Sequence, residues 1–466
     1  MPDTSQINRS HSQLESKLTM ITQEGPVAQK PTATGGATAV ADPPLRAVCS
    51  SMTSSPRLED LAASISTATR TIEEYLKQQN LPYPSFEVNG GITLPRELQD
   101  AKESILDSAS ELRYLLTDPV SAFFDGAPVG FMSMVVIQRF NIANLINPDM
   151  EMSFASIAEQ TGLREGVVKH VLRHAMTLRV FREPRRGFVA HTPRSVVMRD
   201  GDIARWMAFS IDELTEAILC APDAMQKWPR SDEPNETGFS LAENTDRPIY
   251  EVLEADPVRG ARMASAMNVW ASSESYSASK VVESYDWSRL GAGPVVDIGG
   301  SRGQVAVAVA SKFPSLQFVV QDLESTIAGA EFDLPPEVAD RVSFMAHDFF
   351  QEQSVVASAY FLRWILHNWS DKYCIQILRA LIPALRPGAR VIVNEICMPE
   401  PGEVPVCRER LARTMGLGMI GLFNAYERDI EDWTRVFKKT DSRFRLLGCR
   451  HLDGAEMALI EFEWTG

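Results

Sequence analysis

Residues 295–304 read Val-Val-Asp-Ile-Gly-Gly-Ser-Arg-Gly-Gln, a short apolar run that ends beside an acid and passes into a glycine-rich turn. An apolar run, a glycine turn and a following helix make the first unit of an open α/β sheet. Asp297 closes the strand, and Gly299, Gly300 and Gly303 form the turn. Glycine is expected there because a ligand must approach the backbone where a Cβ would collide. A dinucleotide loop would place glycine at 299, 301 and 304, but here 301 is serine and 304 is glutamine.

Outward from this loop, short apolar runs alternate with helical patterns. Strands are expected at 294–298, 318–321, 342–344, 359–362 and 391–394. The tail reads as two further strands joined by a turn at Asp453 and Gly454. The second strand ends at Gln321 and Asp322, 19 residues after Gly303. A carboxylate there can accept both ribose hydroxyls of a nucleoside. Asp348 follows the third strand in His-Asp-Phe-Phe, where it and Phe349 could hold an adenine amine and ring face. Taken singly, either acid would pass for an ordinary loop residue; three features at the right strand ends carry more weight.

The front half reads differently. Residues 1–55 are rich in Ser, Thr, Ala, Gly and Pro and poor in large apolar groups, so a disordered tail is expected. Leu58, Leu61, Ile65, Ile72 and Leu76 have helical spacing over 57–80. Ser153 is placed to cap a helix, a second helix follows at about 165–178, and two short strands are expected around a turn at 185–187. Helix–turn–helix followed by a β-wing is the winged-helix pattern. More helices follow between about 203 and 285. The expected division is 1–55 tail, 56–240 helical and winged-helix, and 241–466 catalytic.

A chain of 466 residues, 44% hydrophobic and 23% charged, suits a folded globular protein of more than one unit. It lacks a run of about 18 apolar residues, so no membrane span is expected. Its N-terminus lacks a secretory signal. Six scattered cysteines without a C-x-x-C pair suit a reducing, cytoplasmic setting and give no sign of a metal site. A net charge of −15 disfavours nucleic acid as a partner. Seven histidines keep the search for a base short.

One of them, His367, falls between a strand-like run at 360–362 and a helix expected to be capped by Ser370. That is the ligand-bearing carboxyl edge of an open sheet. Residues 362–369 read Leu-Arg-Trp-Ile-Leu-His-Asn-Trp. They resemble the L-K-x-x-x-H-D-W hallmark of the plant and fungal O-methyltransferases related to caffeate O-methyltransferase. The resemblance runs from about residue 100 to the C-terminus, and the loop at 297–303 resembles the acidic glycine loop of class I methyltransferases. It implies a Rossmann-like α/β methyltransferase sheet, parallel strands plus a C-terminal antiparallel hairpin, behind an N-terminal α-helical winged-helix dimerisation domain.

The resemblance further implies S-adenosyl-L-methionine as cofactor, held by Asp297, Gly299, Gly300, Gly303, Asp322, Asp348, Phe349 and Arg363. His367 becomes the general base, flanked by Glu395 and Glu427, with no metal required. A homodimer is implied as well. Lys169, His170, Arg173 and His174 with Arg182, Arg185 and Arg186 would be the cations of a DNA-binding reading, which ranks below dimerisation.

The chain departs from the hallmark at Arg363 and Asn368, where the family has lysine and aspartate. Met267 and Trp270, on an apolar helix, and Asn368 are candidate contacts to a flat aromatic or polyketide-like acceptor. A phenol, with a pKa near 10, is scarcely ionised at neutral pH, so a histidine base with a carboxylate on its far nitrogen suits its methylation. The alternative on the same scaffold is a pericyclase-like enzyme that keeps the cofactor only for its charge.

Overall fold

The computed structural model describes residues 57–125, 128–291, 293–452 and 454–466. The tail at 1–55 and Asp453 of the hairpin turn lie outside these residues. Strands β1 (Met152–Ser153) and β2 (Phe188–Val189) form a small antiparallel pair. The main sheet contains β3 (Val295–Ile298), β4 (Phe318–Asp322), β5 (Val342–Ala346), β6 (Ala359–Arg363), β7 (Arg390–Glu395), β8 (Phe444–His451) and β9 (Ala458–Trp464). Their order is β5-β4-β3-β6-β7-β9-β8. The first five in that order are parallel, while β9 pairs antiparallel with both β7 and β8.

The runs form strands because both faces of each are apolar, as a sheet covered on both sides requires. Val296, Ile298, Tyr360, Leu362, Val391 and Val393 face the helices Asp371–Leu381 and Ile430–Thr440. The alternate residues Val295, Phe318, Val320, Ala359, Phe361 and Ile392 face Ala278–Ser284 and Gln304–Lys312. From β3 the chain builds outward through β4 to β5, then returns to the other side of β3 with β6. This reversal opens a crevice at the carboxyl ends of β3 and β6, the standard ligand position in such sheets.

In the front region, helices Leu58–Gln78 and Gln99–Leu116 pack on each other. Asp107 of the second accepts from the amides of Val406 and Cys407, both at 2.8 Å, capping the helix Val406–Phe423. Ser153 caps Phe154–Thr161 through the Ser156 amide at 3.1 Å, and Glu165–Thr177 follows. The expected two-stranded wing differs. Its first arm pairs only through Arg182 with Ala190, and Phe188–Val189 pairs with Met152–Ser153 instead. Pro184, which has no N–H, cannot continue a ladder past Arg182.

The helix Pro257–Ser272, which carries Met267 and Trp270, is anchored by a buried ion network. Arg259 donates to Glu213 and Glu243, and Arg262 donates to Glu213 and Asp212. Glu213 is almost fully enclosed, so it needs both guanidinium groups to offset its lost hydration.

Candidate active site

The glycine loop and the histidine loop leave adjacent strands, since Ile298 is in register with Leu362. Gly299 and Gly303 take φ values of +66° and +77°, and Ser301 takes +52°. Ser301 therefore fills the left-handed position that the methyltransferase pattern gives to glycine. The glycines answer to the protein's own packing as well as to any ligand. A Cβ on Gly299 would run into the Ile365 side chain of the histidine loop, and one on Gly300 would lie 2.6 Å from the Asp297 carboxyl carbon.

Asp322, at the end of β4, accepts from the Ser301 amide at 2.9 Å and the Leu323 amide at 2.8 Å. One N–H on each oxygen leaves further lone pairs at the sheet edge. Asp348 is exposed, accepts only from the Phe350 amide at 2.9 Å, and stands beside half-buried Phe349. Two carboxylates with spare acceptor capacity, an aromatic face and a glycine turn fit a nucleoside cofactor. Asp297 is buried behind the loop, and burial, only partly opposed by Arg363, pushes its carboxyl up to about 7. Arg363 donates to the Asn394 side chain and the Tyr276 carbonyl. It ties β6 to β7 and to residue 276, and burial brings its guanidinium down to about 10.

His367 lies in the short turn Leu366–Asn368 and is buried. Its Nδ1 is 2.8 Å from Glu427 Oε1 and 3.8 Å from Glu395 Oε2. Nε2 makes no hydrogen bond among the described residues. The two glutamates do different work. Glu427 meets the imidazole, whereas Glu395 Oε1 accepts from the amides of Ile365 and Leu366 at 2.8 and 3.0 Å, shaping the loop. Burial alone would lower the imidazole pKa, but the charges of Glu395 and Glu427 outweigh it and raise it to about 9. Burial raises Glu395 to about 7 against the pull of His367. The second oxygens of Glu395 and Glu427, and the Tyr276 hydroxyl, are buried without hydrogen-bond partners.

The sequence reading did not include Arg428. Fully buried, it donates to the carbonyls of Leu366 at 3.1 Å and Trp369 at 2.8 Å, and to Asp371 at 3.0 Å. The loop is thus held by its amides through Glu395 and by its carbonyls through Arg428. In the sequence it is one charge within the run Glu427-Arg428-Asp429, with nothing local to set it apart. Tyr250, 37% exposed, stacks on Trp369 at 6.4 Å and packs tilted against Phe423 at 5.4 Å. Burial and the Glu395 charge hold its phenol above the usual range.

The remaining candidates divide. Trp270 packs edge-on against Tyr276 at 5.6 Å, and Tyr276 packs tilted on Trp364 at 5.5 Å, so Trp270 joins the His367 neighbourhood through a chain of aromatic rings. Met267 is on the same helix and 37% exposed, with no contact to the His367 loop among those described. Asn368 turns its amide back to the Trp364 carbonyl at 3.0 Å, closing its own turn and leaving Oδ1 as its outward group. Ser370 opens the helix Asp371–Leu381 without a side-chain cap, because its hydroxyl donates to the Asp232 carbonyl at 2.8 Å.

With this geometry in place, three comparisons define the class. A family model described as an O-methyltransferase domain matches residues 232–442. The O-methyltransferase AMT9 of Alternaria alternata is 38% identical over 88% of this chain and 98% of its own. The chlorophenol O-methyltransferase of Trichoderma longibrachiatum is 34% identical over 88% of this chain and 90% of its own. A crystal structure of OxaC in complex with SAH and oxaline superposes with a TM-score of 0.70 at 21% identity, covering 88% of this chain and 99% of that one. The chain belongs to the O-methyltransferase family and is an enzyme. It is an S-adenosylmethionine-dependent O-methyltransferase with a class I α/β fold.

Replacing Arg428 tests the clamp on the loop. Arg428→Met strands two buried carbonyls and should lower stability by about 3 kcal/mol, read as a lower urea midpoint at unchanged slope. Turnover should fall while cofactor affinity by calorimetry stays close to the parent value. A variant with the parent's midpoint and turnover would remove Arg428 from the account.

Proposed function

We propose that this enzyme methylates a hydroxyl on a small aromatic or polyketide-like secondary metabolite, with His367 as general base. The observation that carries the reading is the short Nδ1 contact to Glu427, which leaves Nε2 as the nitrogen facing an acceptor. S-adenosylmethionine supplies an electrophilic methyl group on a cationic sulfur. Asp322 would hold the ribose hydroxyls, Asp348 and Phe349 the adenine, and Asp297 with Gly299, Gly300 and Gly303 the floor of the site. Arg363 acts from behind Asp297 as a positioning residue.

His367 takes the acceptor proton at Nε2, and Glu427 keeps the other nitrogen protonated and stabilises the imidazolium. An imidazole raised to about 9 is a better match to a phenol near 10 than an unperturbed one. The neutral form does the work, so activity is lost as pH falls through that value. Trp270, Met267 and the outward Oδ1 of Asn368 are the proposed acceptor contacts, with the orphaned Tyr276 hydroxyl added by the structure. The chlorophenol enzyme among the relatives supports an aromatic hydroxyl as the acceptor class.

We assign residues 56–240 to a helical, winged-helix-like region that builds a homodimer, and 241–466 to the catalytic region of a cytoplasmic enzyme. Exposed Leu115, Leu116, Val120, Val129 and Met132 give the front region an apolar surface of the kind that seeks a partner. Three of the seven cations of the DNA-binding alternative are committed elsewhere. Arg173 pairs with Glu183, Arg182 with Glu87 and Arg185 with Glu151, each within 2.8 Å. Light scattering should give the mass of two chains, and the mass of one would end the dimer assignment.

The reaction is tested with His367→Ala and labelled cofactor against a panel of phenols. Turnover should fall about 10²–10⁴-fold, with cofactor binding by calorimetry nearly unchanged. If product still forms and no S-adenosylhomocysteine accumulates, the chain rearranges its substrate instead of methylating it.

A further inference from the structure

Outside the methyl-transfer site, three metal-ligating side chains converge from two segments far apart in sequence. Cys397 follows the end of β7 by two residues, and Cys449 and His451 project from the same face of β8, two positions apart. β9 separates β7 from β8 but begins at Ala458, which is in register with both Glu395 and His451. The three ligand atoms all lie within 4.8 Å of one another.

We propose that Cys397, Cys449 and His451 form a binding site for a thiophilic divalent cation, zinc being the ion whose chemistry they fit. Two sulfurs and an imidazole are a zinc donor set, with metal–sulfur and metal–nitrogen distances of about 2.3 and 2.0 Å. A tetrahedral site of those dimensions has edges of roughly 3.4–3.8 Å, so the three groups need to close by at most about 1.4 Å. Cys397 is buried, Cys449 half-buried and His451 exposed, which gives the ion an entrance and leaves a fourth position toward solvent.

The local charges favour a cation. The Glu403 carboxylate acts on all three groups by its charge, while Arg408 opposes at His451. Binding exchanges protons for the ion, because a thiol ligates as its thiolate, and no oxidant or reductant is involved.

The site stands behind the catalytic loop. Cys397 bridges to Arg428, and the Met398 amide donates to the Arg428 carbonyl at 2.9 Å. Loading the site would therefore fix the two segments that carry Glu395 and Glu427. None of the three ligands touches the proposed reacting groups, so the ion acts on the frame and methyl transfer itself needs none.

The full chain, reduced and stripped of metal, should take up one zinc per chain in a titration against a chromophoric chelator, with proton release. Cobalt in its place should give a thiolate-to-cobalt charge-transfer band and the visible bands of a tetrahedral site. Cys449→Ser should abolish both signals and His451→Ala should weaken binding, while Cys220→Ser, on a distant helix, should change neither. Circular dichroism checks the fold of each variant; because Cys449 and His451 are not core residues, their variants remain informative if Cys397→Ser fails to fold. No uptake, uptake unchanged in Cys449→Ser, or closure of a Cys397–Cys449 disulfide in air without zinc binding would overturn the proposal.

Discussion

Two glutamates sit side by side with no exposed surface on their carboxylates, and the rest of the site is arranged around what that requires. Buried carboxylates are tolerated only with opposite charge and hydrogen-bond donors close by. Here these are the His367 imidazole and the amides of Ile365 and Leu366. Meeting the demand fixes the 364–369 loop in one conformation, including Trp364 at φ +54°. A non-glycine residue in that region is uncommon and persists where its surroundings determine it. The loop's shape and the basicity of His367 thus have one electrostatic origin.

The same constraint reaches the cofactor cradle. Ile365, held by Glu395, packs where Gly299 has no side chain, so the histidine loop and the glycine loop fit only together. Arg363 completes the link, feeling the charges of both Asp297 and Glu395 from between β6 and β7. Changes at Gly299 would therefore disturb the base as well as the cofactor. At the far end, Asp107 caps the helix Val406–Phe423, which leads through Asn424 to Glu427, so the front helices are coupled to the base by one rigid element.

Much of this could be read from the sequence because it is local. The parallel strands announce themselves as short apolar runs, and the strand-end acids and His367 fall where an open sheet presents ligands. The hallmark around His367 named both glutamates, but it could not divide their labour. Whether Glu395 meets the imidazole or the loop amides depends on side-chain direction across two strands, which spacing does not encode. Arg428 has partners that the sequence does not place beside it, and Ser370 looked like a cap because its true partner, the Asp232 carbonyl, is remote in sequence. The wing failed for a local reason, Pro184, that was legible but not weighed. The Cys397, Cys449 and His451 cluster has no C-x-x-C spacing, because its members come from segments that meet only in the assembled sheet.

The central claim is that the glutamates make His367 an unusually strong base. Its most direct test is an NMR titration of the full chain with labelled histidine, assigning the His367 imidazole by its loss in His367→Ala. The account predicts a midpoint near 9, against about 6.5 for an unperturbed histidine, and a shift toward the ordinary value in Glu427→Gln. A His367 midpoint at or below 6.5, unmoved by that substitution, would mean that burial wins over the carboxylates and would contradict it.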